Sequence, residues 1–329
     1  PSDGNAWKNF DRKYPHMAAD ARNVRIAIAT DGFNPYGMSN SNYSCWPVFV
    51  IPLNLPPGVL MTRKTMFLSL IIPGPHYPGK NLSVYMQPIV EDLNHSWHHG
   101  TLTYDRASKT NFYMKVWLQY TMHDMPGYAL TCGWCTAGKW PCPVCRHRLE
   151  FLWLQKGRKY VAFDTNRQFL KRRHPFREDK KNFNKGKVVH EKKDVPKFDG
   201  TLVEAELRAL VPAATPTGHQ FEGYGVTHNW THEAALTKLE YYKDLELPHN
   251  IDVMHTVKNV AESVFHTCLN IPGKSKDNVK ARVDIEILCD REKLHMKRPI
   301  GRQKNWFKPH ANFCLDSIQK KEAFKWLKY

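Results

Sequence analysis

The chain has 329 residues, 42% of them hydrophobic and 12% aromatic, which excludes a wholly disordered chain and gives material for one large or two small domains. Lys and Arg number 48 against 31 Asp and Glu, a formal charge of +17. That excess points to a polyanionic partner, nucleic acid or an anionic membrane surface, with a merely very soluble basic protein as the plainer reading. No run approaches the about 18 apolar residues of a membrane-spanning helix, so an integral membrane protein is excluded.

The sequence starts at Pro1 with no initiator Met and no charged-then-apolar leader. The expectation is a piece of a longer polypeptide, with any targeting segment outside it. Eight cysteines in a chain this long do not make a disulfide scaffold. Four of them form two Cys-x-x-Cys pairs, which reads as a reducing compartment with metal binding. Four glycosylation triplets, at Asn42, Asn81, Asn94 and Asn229, are a contrary sign, but such triplets are common by chance.

In chain order, residues 24–30 (VRIAIAT) read as a buried strand ended by Asp31-Gly32. Residues 44–55 are strand-like but interrupted by Pro47 and Pro52, which suits an edge or bent strand. Residues 66–72 (MFLSLII) give a third strand closed by Pro73-Gly74-Pro75. Leu82, Met86, Ile89, Val90, Leu93 and Trp97 then fall on one helical face, with Pro88 predicting a kink or a late start. Residues 112–122 alternate as a fourth strand, and Asp124 follows at once.

A second block, 129–200, holds both cysteine pairs and a basic stretch from Lys156 to Lys193. Lys171-Arg172-Arg173, Lys180-Lys181, Lys185, Lys187 and Lys192-Lys193 show no apolar period, so this reads as an exposed insertion, or as a solvated loop that binds nothing. The third block is helical. Residues 202–210 are amphipathic, a Pro/Thr/Gly-rich connection covers 212–225, and 234–245, 252–269 and 277–288 carry helical spacing. The predicted organisation is therefore 1–128, 129–200 and 201–329.

Asp31 and Asp124 are the first chemical candidates. Carboxylates at neighbouring strand ends can hold Mg²⁺ or Mn²⁺, which polarise a phosphodiester. Most strand-end aspartates are turn formers, and Asp31-Gly32 is a good turn pair. Cys132-x-x-Cys135 and Cys142-x-x-Cys145 each have zinc-knuckle spacing. Four thiolates could close one site across a tight interval. One pair could instead combine with distant histidines such as His249 and His255, or the cysteines could carry no metal. Pro141-Cys142-Pro143-Val144-Cys145 matches half of the zinc-deaminase signature, but no His-x-Glu occurs in the chain, so that reading is rejected. Aromatic and basic residues mix at Trp134, Lys139, Trp140, Arg146, Trp153, Lys156, Arg158 and Tyr160. The mixture suits phosphate contacts with base stacking, or packed aromatics on a small zinc subdomain.

At these residues the chain resembles plant CACTA-type (En/Spm-like) transposases over nearly its whole length. The resemblance is carried by residues 3–11 (DGNAWKNFD), 29–35 (ATDGFNP), 43–48 (YSCWPV), 54–57 (NLPP), 72–75 (IPGP) and 84–88 (VYMQP). Gly133-Trp134, residues 142–145 (CPVC), 249–255 (HNIDVMH) and 258–260 (KNV) continue it in the same order. The resemblance implies an RNase H-like α/β core, a mixed sheet with flanking helices, interrupted by a basic zinc-binding insertion. It also implies a DDE-type acidic triad, two catalytic Mg²⁺ or Mn²⁺ ions and cut-and-paste strand transfer. Asp31 matches the first acid. Asp124, in His-Asp-Met-Pro-Gly-Tyr where the family tends to have Asn-Asp-Phe-Pro-Ala-Tyr, matches the second. By the pattern of related transposases Cys142, Cys145, His249 and His255 hold structural Zn²⁺, and Cys132 and Cys135 are incidental.

One departure bears on activity. Where the family reads Met-His-Ile-Glu-Lys-Asn-Val, this chain has Val257 in the place of the acid. Glu262, two turns from His255 on the same helical face, is the substitute third acid, with Glu286 a weaker second. Asp252 is either a ligand or a helix cap, and its place at a helix start favours the cap. The implied partners are DNA, as transposon ends and target, and a second copy or a second element-encoded protein, with no membrane. The implied location is the nucleus. The rival readings are a catalytically inactive transposon remnant or co-opted zinc-containing DNA-binding protein, and, third, an RNase H-like nuclease without strand transfer.

Overall fold

The apolar run 24–30 forms β1 (Val24–Thr30), preceded by α1 (Asn5–Lys13) and α2 (Pro15–Ala18). The computed structural model describes residues 1–37, 43–149, 151–162, 165–183, 193–210, 221–299 and 306–327. Asn42, Lys185, Lys187, Lys192 and residues 212–220 of the predicted connection lie outside the described residues. After β1 come β2 (Trp46–Pro52), β3 (Phe67–Ile72), α3 (Leu82–His98), β4 (Thr101–Asp105), β5 (Thr110–Met114), β6 (Val116–His123) and α4 (Met125–Cys132). Then follow β7 (Leu152–Leu154), β8 (Lys159–Val161), α5 (Pro175–Glu178), α6 (Gly200–Leu210) and β9 (His249–Ile251). The described chain continues through α7 (Val253–Cys268), α8 (Val279–Leu288) and α9 (Ser317–Trp326). Among the described residues no helix is long and apolar enough to cross a membrane.

The chain divides into two units. The first comprises Pro1–Arg146 and Lys197–Asp252, the second His147–Pro196 and Val253–Tyr329. In the first, five strands make a mixed sheet in the order β3-β2-β1-β6-β9. β2 runs antiparallel to β1 and β3, while β6 runs parallel to β1 and β9 parallel to β6. The protein is thus a mixed α/β protein with a mixed sheet and helices. β2 is interior, not an edge. It accommodates Pro47 beside a register slip between Val48 and Phe49, the kind of irregularity that lets a proline into a sheet.

All six residues of the predicted stripe on α3 are buried, and α3 packs against β6 and a 3₁₀ turn at Ala235–Lys238. Beside them lies an aromatic core. Phe10 stacks on Trp117 (5.9 Å between centroids), and Trp97 lies 4.4 Å from Tyr241, whose hydroxyl accepts from Leu118 N at 2.9 Å. Arg25 is buried among these rings, 3.8 Å over Trp7 and 4.9 Å over Trp117, and is paired with Asp11.

Two expectations fail here. The alternation 112–122 is not one strand. It breaks at Lys115, whose N donates to Asn23 Oδ1 (2.9 Å), while Val116 N donates to Ser96 Oγ (2.7 Å). These buried side chains divert the backbone, and residues 110–114 pair instead with β4 in a separate hairpin. Residues 234–245 form no α-helix. Ala234, Ala235, Leu236, Leu239, Tyr241, Tyr242 and Leu245 are all buried, and two 3₁₀ turns divided by extended Leu239 place them inward on every side.

The second unit is built differently. α7 buries no residue, and the fully buried large side chains here include three arginines. Arg167 donates to the carbonyls of Phe176 (2.7 Å) and Asp179 (3.2 Å), and Arg177 to that of Leu170 (3.0 Å). Arg282 donates to Leu294 O (2.8 Å), Pro309 O (3.2 Å) and the carboxylate of Asp277, which also meets Lys308 at 3.2 Å. Lys171, Arg172, Arg173, Lys180, Lys181 and Lys193 are exposed. Arg167 and Arg177, within the same basic stretch, are structural instead.

Candidate active site at the strand ends

β1 and β6 are adjacent and parallel, with Ala29 opposite Met122. Asp31 and Asp124 each lie two residues beyond that pair, so both leave the sheet at the carboxyl ends of neighbouring strands. β9 extends the row. His123 stands opposite Ile251, and Asp252 N donates to His123 O at 2.7 Å. Asp252 therefore occupies on β9 the position that Asp124 occupies on β6. All three belong to the first unit.

Local chemistry fixes each strand end. Asp31 is exposed, and its Oδ1 accepts from Gly32 N at 2.7 Å. A Cβ at residue 32 would come within 2.6 Å of Trp46 Nε1, so only glycine lets that indole close over the turn. Asp124 caps α4, its Oδ1 accepting from Gly127 N at 2.7 Å, and its Oδ2 has no hydrogen bond among the described residues. Between them His123 is buried, and its Nδ1 donates to Thr30 O at 3.2 Å, fastening the end of β6 to that of β1. Burial pushes the His123 imidazole down to about 4, so the ring is neutral at pH 7; its Nε2 has no hydrogen-bond partner among the described residues.

The donor types at Asp31 and Asp124 fit a hard divalent cation, and Asp124 Oδ2 supplies an uncommitted oxygen. Among the described residues, no group of three or more His, Cys, Asp or Glu side chains stands close enough to hold a metal ion. Glu262 is exposed on α7 and Glu286 on α8, both in the second unit.

The expected zinc ligands fare unequally. Cys145 N donates to Cys142 Sγ at 3.3 Å, and the neighbouring Cys145 thiol holds Cys142 down at about 6, an arrangement that fits two thiolate ligands. His249 does not fit. Its Nδ1 bonds Thr121 Oγ1 (2.6 Å), its Nε2 bonds Tyr242 Oη (2.9 Å), and burial drives its pKa far down. Both nitrogens are used in holding β9 to β6 and to the 3₁₀ turn at Tyr242–Asp244. His255 is exposed on α7. In the other pair Cys132 is buried, burial raises its thiol to about 12, and its Sγ accepts from Trp134 N at 3.4 Å.

Residues 1–207 match the family model described as transposase family tnp2. The chain belongs to this transposase family. No curated protein and no solved structure matches it. The matched stretch of the transposase contains Asp31, Asp124, Cys142 and Cys145, and stops short of His249, Asp252, His255 and Glu262.

The mixed aromatic and basic block of the transposase splits in two. Trp134 and Trp140 are buried, with Trp134 Nε1 donating to Trp140 O at 2.6 Å. Arg146 lies 5.4 Å over Trp134 and pairs with Glu206 at 2.7 Å, whose other oxygen accepts from Trp230 Nε1 at 2.8 Å. These residues pack a core. Sequence reasoning missed the positioning role of His123. Its signal was present, a histidine between the last strand residue and a candidate acid, but only the parallel pairing shows what it reaches.

Proposed function

We propose that this chain is the catalytic core region of a CACTA-type (En/Spm-like) plant transposase that cuts a DNA strand at the element's end and joins the 3′-hydroxyl to target DNA. The observation that carries the reading is the placement of Asp31 and Asp124 at the carboxyl ends of adjacent parallel strands, fastened by His123. The order β3-β2-β1-β6-β9, with only β2 reversed against its neighbours, supports an RNase H-like fold, and the charge of +17 supports a DNA partner.

Bound Mg²⁺ or Mn²⁺ supplies the Lewis acidity that the phosphodiester reaction needs. Asp31 and Asp124 would hold it. The cap to Gly127 orients Asp124 so that one oxygen serves the helix and the other faces away from that duty. His123, neutral and buried, adds no charge and keeps the two strand ends in register. Glu262 is the third acid by the sequence argument, and Asp252 is the third by register on β9. Cys142 and Cys145 would hold Zn²⁺. The remaining elements of the reading are action in the nucleus and assembly with a second copy or another element-encoded protein.

A second reading is a catalytically inactive remnant or co-opted DNA-binding protein, favoured by Val257 in the place of the family's acid. One experiment separates them. Element-end DNA with Mn²⁺ is incubated with the wild type and with Asp31→Ala, Asp124→Asn, Asp252→Asn and Glu262→Gln. Asn caps helices as well as Asp, so Asp124→Asn keeps α4 while removing the charge. Nicking by the wild type that is lost in Asp31→Ala and Asp124→Asn supports the enzyme. Loss in only one of the last two variants identifies the third acid. Binding without nicking by the wild type sinks the catalytic reading.

A further inference from the structure

One part of the aromatic and basic block is not packed inward. β7 and β8 pair as a short hairpin in the second unit, with Trp153 opposite Tyr160. Alternation along β7 leaves Leu152 and Leu154 half-buried and turns Trp153 outward. The Trp153 and Tyr160 rings meet edge to face at 4.8 Å, yet remain 48% and 41% exposed. A cross-strand aromatic pair of this size normally marks a buried surface or a binding surface.

The hairpin is also built to be rigid. Its turn closes through Arg158 N to Leu154 O (2.8 Å), with Arg158 in the left-handed region at φ 48°. Asp284, a buried carboxylate on α8, accepts from Lys156 N (3.0 Å) and Gly157 N (2.8 Å). A Cβ at Gly157 would come to 3.2 Å from Asp284 Oδ2, so glycine permits the clamp. Both Asp284 oxygens are spent on the backbone. Residues 152–161 contain no acid, and Lys156, Arg158 and Lys159 are exposed without an ion pair among the described residues.

We infer that the β7–β8 hairpin binds single-stranded DNA, with an unpaired base stacking on Trp153 and Tyr160 and its flanking phosphates met by Lys156, Arg158 and Lys159. The inference rests on the DNA-transposase reading and adds the form of DNA engaged. Three exposed cations without an ion pair among the described residues, beside an Asp284 carboxylate already engaged by the turn's backbone, favour a polyanion. Exposed ring faces select a base whose own faces are open, which a base inside a duplex does not offer. A clamped hairpin loses little order on binding.

The test uses the full chain and a dye-labelled oligonucleotide, once as a single strand and once as a duplex, read by fluorescence anisotropy. Trp153→Ala and Tyr160→Ala are expected to weaken single-strand binding by about tenfold each, with duplex binding changed by less than about twofold. Trp153→Phe restores most of the loss. Replacing Lys156, Arg158 and Lys159 together by Ala lowers the slope of log affinity against log salt by about 2 for the single strand. A measurement that needs no variant is photo-crosslinking of a 5-iododeoxyuridine strand to the wild type, expected to label the peptide that carries residues 152–160. Unchanged single-strand binding in the aromatic variants, equal losses on both DNA forms, or crosslinks confined to other peptides would each overturn the hairpin's single-strand role while leaving the transposase reading intact. A wild type that binds neither form overturns both.

Discussion

The two units solve the same problem with opposite materials. The first holds its strands and α3 with apolar stripes and an aromatic core around Phe10, Trp97, Trp117 and Tyr241. The second gathers loops and short helices around Arg167, Arg177 and Arg282, each donating to carbonyls that regular structure leaves unpaired. A segment with few strands has many such carbonyls, and a forked cation with five donors can satisfy several at once. The difference teaches that basic composition is not surface composition. Part of the +17 charge is internal framework in the second unit, and only the rest is offered to a partner.

The strongest way to break the comparison is Arg282→Met. It takes from Asp277 its buried partner, leaving Lys308 as the remaining cation on that carboxylate among the described residues, and removes donors from Leu294 O and Pro309 O, so the second unit should lose about 3–5 kcal/mol. Changing Asp277 to Leu as well should recover only part of this, since the two carbonyls stay unsatisfied at about 1–3 kcal/mol each. Hydrogen exchange read by mass spectrometry should show lost protection at α8 with β1 and β6 retained. Full recovery in the double variant would show that the pair, and not the carbonyl network, sets the stability.

Acid should separate the units next. His123 has its pKa depressed by burial to about 4, below the unfolded value of about 6.5. Between those values the unfolded chain binds the extra proton, so the first unit loses stability as pH falls from about 6.5 toward 4, by about 3 kcal/mol from this residue alone. His249, driven down by burial, adds in the same direction. Burial pushes the Asp277 carboxyl up, but Arg282 and Lys308 outweigh it and the net shift is downward. Its contribution is fully present above about 3.9 and is lost only as pH falls through the lower folded value. Loss of protection in β6 before α8 on acidification is the expected order, and the reverse would refute it.

Smaller substitutions sharpen the picture. Gly133→Ala places a Cβ 2.3 Å from His232 O at a backbone φ of +78°, and should cost the first unit about 1–3 kcal/mol in a denaturant titration. Asn278→Ala removes the cap donated to by Ala281 N at 3.0 Å, and should cost the second unit about 1 kcal/mol by the same measurement.

What the sequence discloses follows the same division. β1 and α3 are legible because each puts one repeating apolar face against one neighbour, and the periods of 2 and 3.6 record that. The break at Lys115 is not legible, because it depends on Asn23 and Ser96 arriving from elsewhere in the chain. Residues 234–245 mislead because a segment buried on all sides has no period to read. Arg167 and Arg177 look like the exposed basic residues around them, since burial by carbonyl bonding leaves no mark in composition. At the site, the strand-end positions of Asp31 and Asp124 are visible, while their alignment with Asp252 requires β9, a three-residue strand below the reach of any propensity. The histidine of that strand reads as a metal ligand until Thr121 and Tyr242 are seen to take both its nitrogens.

The late return of the chain into the first unit has a practical edge. Kinship is recorded in residues 1–207, yet Trp97 leans on Tyr241, Trp134 on Trp230, and the outer margin of β6 on β9. A fragment trimmed to the matched stretch would expose two indoles and an open sheet margin to water, and should be expressed as aggregate. The portion by which this lineage is recognised is smaller than the portion that can stand by itself.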